Sequence, residues 1–380
     1  PKQPKTIRKI YAKQLRIKKV DPLDTFVSLG GDSLDFIQVS LALELILGDL
    51  PTDWENTPVK ELEERPIEKS NKISLGPMVW LRALAITVIV TNSANLLGNI
   101  KFYGGAYFLF LLAGMSFARF QLKNITKNDK PQAMLSILPA LMLPVLAILI
   151  LEQFRANNFE WSQWLFVSNL ISPDRGGFWF INVWVQVYIA VFLLFLLLPM
   201  TRFVRKSPKT TSFAVLLVGV AIALISPLFW DTKHLFDRVP QDNFWLFALG
   251  WCLYVAGKSH KVLLSFICVT IPFVIFGFDK TASYWACFGG LALIWLNDIH
   301  LHRLGARAIA NISAASLYIY ITHGYFISAA SKLAPVAIAP AFGWLTAIVG
   351  GVVISFIADH SWHILTKSSW WIKSKVTYRF

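Results

Sequence analysis

Two patterns of apolar residues divide the chain. Up to about residue 75, hydrophobic positions recur at helical spacing. Ile7, Ile10, Tyr11 and Leu15 predict one helix, and Phe36, Ile37 and Leu41 predict a second that opens at Ser33. A short third helix fits Thr57 to Glu64, with Pro58 in its first turn. From Met78 onward, apolar runs follow one another instead, most of them near the ~20 residues that a helix needs to cross a bilayer. About ten spans can be drawn, over 78–98, 104–120, 133–153, 178–200, 210–230, 243–257, 261–278, 283–297, 308–330 and 338–365. Phe159 to Ile171 is too short to cross and reads as an interfacial or re-entrant piece, with Trp161 and Trp164 at headgroup depth. The expected fold is all-α: a small helical bundle, then a polytopic α-helical membrane domain with about ten spans.

Composition agrees. Hydrophobic residues make up 55% of the 380 residues, charged residues only 15%, and mean hydropathy is +0.54. These values exclude an ordinary cytosolic protein, and the aromatic content excludes disorder. The net charge of +14 would suit a nucleic-acid partner only if it were gathered on one surface. It is dispersed among short connections, so no nucleic acid is expected. Lys and Arg crowd the even-numbered connections and the tail (Arg119, Lys123, Arg202, Arg205, Arg303, Arg307, Lys373) and are sparser in the odd-numbered ones. That bias puts both termini on the cytoplasmic side of an inner membrane. Cys252, Cys268 and Cys287 lie in apolar stretches at spacings that fit neither a disulfide framework nor a zinc site, and they read as lipid-facing or core residues.

The first candidate chemistry sits between the first two helices. A loop with Asp24, Phe26, Leu29, Gly30, Gly31 and Asp32 runs directly into Ser33 and Leu34. Two glycines allow a turn tight enough to present a serine at a helix start, where backbone amides and the helix dipole favour a phosphate. This stretch resembles the phosphopantetheine attachment site of acyl and peptidyl carrier domains over residues 7–66. Asp21-Pro22, Phe26, the Gly-Gly-Asp-Ser core and the Thr-Pro-Val-Lys-Glu-Leu helix match in order. The resemblance implies 4'-phosphopantetheine bound covalently to Ser33. The partners it implies are a phosphopantetheinyl transferase and an adenylating or loading enzyme, the latter separate or as an upstream adenylation domain. The domain plan is then a carrier at 1–70, a linker at 71–77, a membrane domain at 78–367 and a basic tail at 368–380. The basic first helix is suited to docking on anionic lipid headgroups or on the membrane domain, or else is a solvated face.

Ionisable groups inside spans are costly and point to function. Arg82 enters the first span, and Ser93 follows eleven residues later on the same face, beside Asn92. His323 lies in the ninth span, and Asp359, His360 and His363 lie near the inner end of the tenth. Gln186 stands in the fourth and Glu152 closes the third. Trp80 to Ala85, Gly104 to Met115, Trp179 to Tyr188 and Ser313 to His323 together resemble the acyltransferase-3 family of ten-span proteins, from about Leu75 to Lys367. That resemblance implies transfer of an acyl or aminoacyl group from a cytosolic thioester to an acceptor in or across the membrane. Two departures stand out. Asn92 or Ser93 occupies the place of the family's first-span histidine, and Ser136 stands where a basic residue usually precedes the Leu-Pro of the third span.

The expected roles follow. His323 is the candidate base, with Asn92, Ser93 and Arg82 as polarising groups. Gln186, Asp359, His360 and His363 are expected along a substrate channel, and no metal site is expected. The alternative is a catalytically degenerate scaffold or translocator for a carrier-bound product.

Overall fold

The computed structural model describes residues 4–368 except 16, 32, 49, 52, 67–71, 130, 157–158, 173–177 and 236–237. The N-terminal bundle holds α1 (Pro4–Gln14), α2 (Ser33–Leu47) and α3 (Val59–Glu63). Strand β1 (Lys72–Leu75) comes next. Then come α4 (Pro77–Ser93), α5 (Gly105–Ser116), α6 (Leu122–Asn128), α7 (Leu138–Ala156), α8 (Trp161–Trp164) and α9 (Ser168–Ile171). They are followed by α10 (Trp179–Leu197), α11 (Met200–Lys206), α12 (Pro208–Phe229), α13 (Pro240–Ala256), α14 (Lys261–Phe276) and α15 (Thr281–Trp295). Strand β2 (Ile299–His302), α16 (Arg303–Ala314), α17 (Ser316–Leu333) and α18 (Ala339–Ser368) complete the described residues. The all-α expectation holds, and the two strands form one short antiparallel pair.

Every expected span carries a helix. Five stretches are long and apolar enough to cross a membrane: Gly105–Lys127, Pro131–Arg155, Trp179–Leu197, Pro208–Phe229 and Ala339–Ala358. A sixth is added if α16 and α17, bent by 80°, count together. The first expected span, α4, has 17 residues and α14 has 16, so each is apolar but short. The centre is α13, buried on every side from Asp242 to Leu253. Its crossing with α5 is set by glycine. A Cβ at Gly114 would fall 1.8 Å from the Phe247 carbonyl, and one at Gly250 would fall 1.8 Å from the Leu111 carbonyl. Such backbone-to-backbone approach is how helices gain van der Waals contact where no hydrophobic effect drives them together. The outer helices expose Leu151, Phe154, Leu228, Phe229, Val262, Phe266 and Ile357, an apolar belt suited to lipid. The three cysteines are free and buried, as core residues.

In the N-terminal bundle, Ile7, Tyr11, Phe26, Ile37, Val39, Leu43, Trp54, Val59 and Leu62 form the core. Arg8 donates two bonds to Glu63, at 2.9 and 2.8 Å, and so ties α1 to α3. Lys9 and Lys13, on the same helix, are exposed. This core does not end at the bundle. It continues into Val79 of α4, Phe120 and the Ala306, Ala310 and Ala314 face of α16. Residues 72–75, expected as part of a linker, form β1, which pairs with β2 from Lys72 opposite His302 to Leu75 opposite Ile299. The Ser74 amide also donates to Glu44 of α2, at 3.0 Å.

Candidate functional site

The glycine turn before α2 works through two separate constraints. Gly30 has φ of +80°, the left-handed region that side chains avoid. Gly31 is required by space, because a Cβ there would sit 2.3 Å from the Phe26 ring. The turn therefore wraps around Phe26, which is fully buried, and its amides bond back to the carbonyls of Val27 and Phe26. Ser33 is the first residue of α2; its side chain lies outside the described residues. Phe36 and Ile37 lie three and four positions on, and on an α-helix those positions share the face of residue 33.

That face rests on the membrane part. A small pocket is lined by Phe36 and Ile37 of α2, by Met78, Val79 and Arg82 of α4, and by Arg119 and Phe120. The last two belong to a π-helical turn, Phe117–Gln121, that joins α5 to α6. Arg82 is 8% exposed and donates to the Ser116 hydroxyl at 3.0 Å. The Arg119 guanidinium lies 4.3 Å from the Phe36 ring centroid and 5.4 Å from that of Phe120, while its Nε donates to Glu55 Oε1 at 2.6 Å. Glu55 is 2% exposed, so this ion pair is removed from water and its Coulomb term is little screened. Around it, Phe26, Phe36, Trp54 and Phe120 meet ring to ring, with centroids 5.0 to 6.0 Å apart. Two further bonds cross the same boundary: Lys123 Nζ to Asn56 Oδ1 and Asn124 Nδ2 to the Val27 carbonyl, both 2.7 Å. Among the described residues, neither the Tyr11 hydroxyl nor Glu55 Oε2 has a hydrogen-bond partner. Burial, with the nearby Glu55 charge, raises the Tyr11 phenol above its ordinary ionisation range.

Phe36 and Ile37 of α2 share the pocket with two guanidinium groups, those of Arg82 and Arg119. Apolar walls from Met78, Val79, Phe36 and Phe120 complete the pocket.

The other expected site residues lie elsewhere. Asn92 closes the opposite end of α4: its amide donates to the Phe102 carbonyl at 2.9 Å and accepts from the Phe102 amide at 3.0 Å. Ser93 beside it is exposed. His323 is half-buried, with Nδ1 2.6 Å from the Tyr320 carbonyl, and Tyr320 packs on Phe180. Gln186 forms a reciprocal amide pair with Asn169 and also donates to the Phe166 carbonyl, so it fastens α9 and its approach to α10. Glu152 accepts from the Tyr325 hydroxyl at 3.0 Å. Asp359, His360 and His363 fall on α18, but their side chains lie outside the described residues. Among the described residues no cluster could hold a metal ion. Arg119, Phe120, Trp54 and Glu55 were not anticipated from sequence. The available signal was a cation, Arg119, interrupting an otherwise apolar helix end.

Residues 5–62 fit the family model described as Phosphopantetheine attachment site. No curated protein and no solved structure matches the chain. The N-terminal bundle is thus a phosphopantetheine-binding domain, the kind that carries 4'-phosphopantetheine covalently on a serine.

Proposed function

We propose that the chain is a membrane-bound acyltransferase with a built-in donor. An acyl or aminoacyl thioester, held on an arm at Ser33, would be moved to an acceptor in or across the membrane. The observation that carries this reading is the seating of α2, which begins at Ser33, through Phe36 and Ile37 on a pocket with Arg82 and Arg119. The arm supplies a thiol that holds the acyl group; the chain's own residues position and polarise it. Tethering keeps the donor near ~mM effective concentration without any new contact. Arg82 and Arg119 would hold the phosphodiester at the root of the arm. The docked end is the cytosolic one on this reading, in accord with the Lys and Arg bias, and the partners are then a phosphopantetheinyl transferase, a loading enzyme and the lipid of an inner membrane. The division into carrier, membrane domain and basic tail belongs to the same proposal, as does the acyltransferase-3 likeness. His323 is the candidate base, because its ring stands inside the bundle beside Tyr320.

Intact-mass measurement in native-host vesicles tests the reading. Wild type should lose its cargo mass when the acceptor is present, and Ser33→Ala should carry neither arm nor cargo while remaining folded. Full transfer by Ser33→Ala from free acyl-CoA would overturn the tethered route. One observation favours the scaffold alternative: Asn92, at the place of the family's histidine, spends its amide on the Phe102 backbone. His323→Ala separates the two readings. Cargo that stays on the arm supports catalysis, whereas unchanged discharge supports a scaffold or translocator.

A further inference from the structure

The face of the carrier that meets the membrane part is also the face that any enzyme acting on Ser33 must reach. Phe36 is 9% exposed and Ile37 3%, and both flank residue 33 on the helix. Met78, Val79, Arg119 and Phe120 cover them. We infer that the Glu55–Arg119 contact is a latch, which makes docking on the membrane part and priming or loading by soluble enzymes mutually exclusive. This deepens the proposed function and rests on its assignment of the arm to Ser33.

Three features give the contact this character. First, Arg119 grips two parts of the carrier at once, the Phe36 ring of α2 and the carboxylate of Glu55 in the turn before α3. Second, Glu55 is nearly inaccessible, so partial withdrawal of Arg119 would strand a buried charge. The carrier is therefore either seated or away, with little stability between. Third, the gripping residues stand on a π turn, an uncommon geometry that recurs at functional sites. The turn aims Arg119 and Phe120 at the carrier while Phe117 packs on Phe247 and Trp251 and Gln121 accepts from the Tyr188 hydroxyl. The bonds at the edge, Lys123 to Asn56 and Asn124 to Val27, bury no comparable charge.

Priming is the step to measure. It moves the 4'-phosphopantetheinyl group from coenzyme A to the Ser33 hydroxyl. A phosphodiester bond forms at that oxygen, the pyrophosphate bond breaks, adenosine 3',5'-bisphosphate leaves and the hydroxyl proton passes to solvent. Full-length apo protein in micelles, with coenzyme A, Mg2+ and a broad-specificity phosphopantetheinyl transferase, is followed by intact mass. Arg119→Ala should be primed roughly tenfold faster than wild type or more, as loss of a buried charge partner predicts. If that variant does not fold, Lys123→Ala with Asn124→Ala, which removes the two edge bonds without stranding a charge, should still raise the priming rate, by a smaller factor. Asn56→Cys with Lys123→Cys, joined by a short bis-maleimide, should be primed more slowly than wild type, and the native cysteines are buried. Equal rates in wild type, latch variants and cross-linked protein would overturn the latch. Mass gain by Ser33→Ala would instead overturn the assignment of the arm, and the two failures are distinct.

Discussion

The two ends of α4 handle polar groups in opposite ways. At the far end, Asn92 and Lys101 bond to the loop that follows the helix: Asn92 to the Phe102 backbone, Lys101 to the Asn92 carbonyl and the Asn95 side chain. All these partners lie within about a dozen residues of one another. At the docked end, Arg119 and Lys123 reach partners in a different structural unit, more than sixty positions away in sequence. Local satisfaction of this kind closes a loop. Satisfaction across units joins two parts that each carry their own core, and it puts the specificity of the joint into few side chains.

The contrast can be broken most forcefully at the shared aromatic cluster. Phe26→Ala removes a fully buried ring from the glycine turn and should cost about 3 to 5 kcal/mol. Limited proteolysis should then cut the N-terminal bundle while the membrane helices stay protected; equal resistance of both parts would show that the cluster does not hold the turn. Next comes the ion pair. Arg119→Ala leaves Glu55 buried without its partner, at about 3 kcal/mol or somewhat less if the carrier lifts off and Glu55 regains water. Thermal unfolding of the carrier part should restore most of that loss when Glu55→Gln is added, and a double variant as unstable as the single one would deny the pairing. At the far end, Asn92→Ala should cost only about 1 to 2 kcal/mol, read as a lower melting temperature, with the arm discharged as in wild type. Loss of discharge at unchanged stability would turn that end into the reaction site and reverse the comparison.

The smallest effect concerns Tyr11. Among the described residues its buried hydroxyl has no partner, so Tyr11→Phe should be neutral or stabilising by up to about 1 kcal/mol. Burial raises the phenol in the folded protein, while the unfolded chain ionises near its ordinary value of about 10. The folded state then holds a proton that the unfolded state has released. The contribution is full below that value and is lost as pH rises above it. Alkaline melting curves should fall less steeply for the phenylalanine variant, and superimposable curves would place Tyr11 in contact with water.

Legibility in the sequence follows the range of each interaction. The helices were readable because apolar spacing acts within a few residues. The Gly-Gly-Asp-Ser core was readable for the same reason, although only the structure separates the φ requirement of Gly30 from the spatial one of Gly31. The β1–β2 pair was not. Four residues, Lys-Ile-Ser-Leu, look like a linker until they meet a partner more than two hundred positions away. Nor was the dock, since neither Glu55 nor Arg119 departs from an ordinary charged residue until the other is beside it. The π turn gives no periodic signal at all. Gln186 reads either as a helix-packing amide or as a channel residue, because an amide in a span looks the same whether it meets another helix or substrate, and it is found bonded to Asn169.

The short strand pair also sets a working radius for the carrier. With Lys72 held opposite His302, the chain from Glu64 to Lys72 can extend by no more than about 28 Å, at about 3.5 Å per residue. On the latch proposal, a released carrier stays within that reach, which is shorter than a bilayer is thick, so its territory would be a patch of membrane surface around one bundle. On that reading, enzymes that service it would come to that patch, and a neighbouring copy in the membrane would lie within reach only when the two bundles touch.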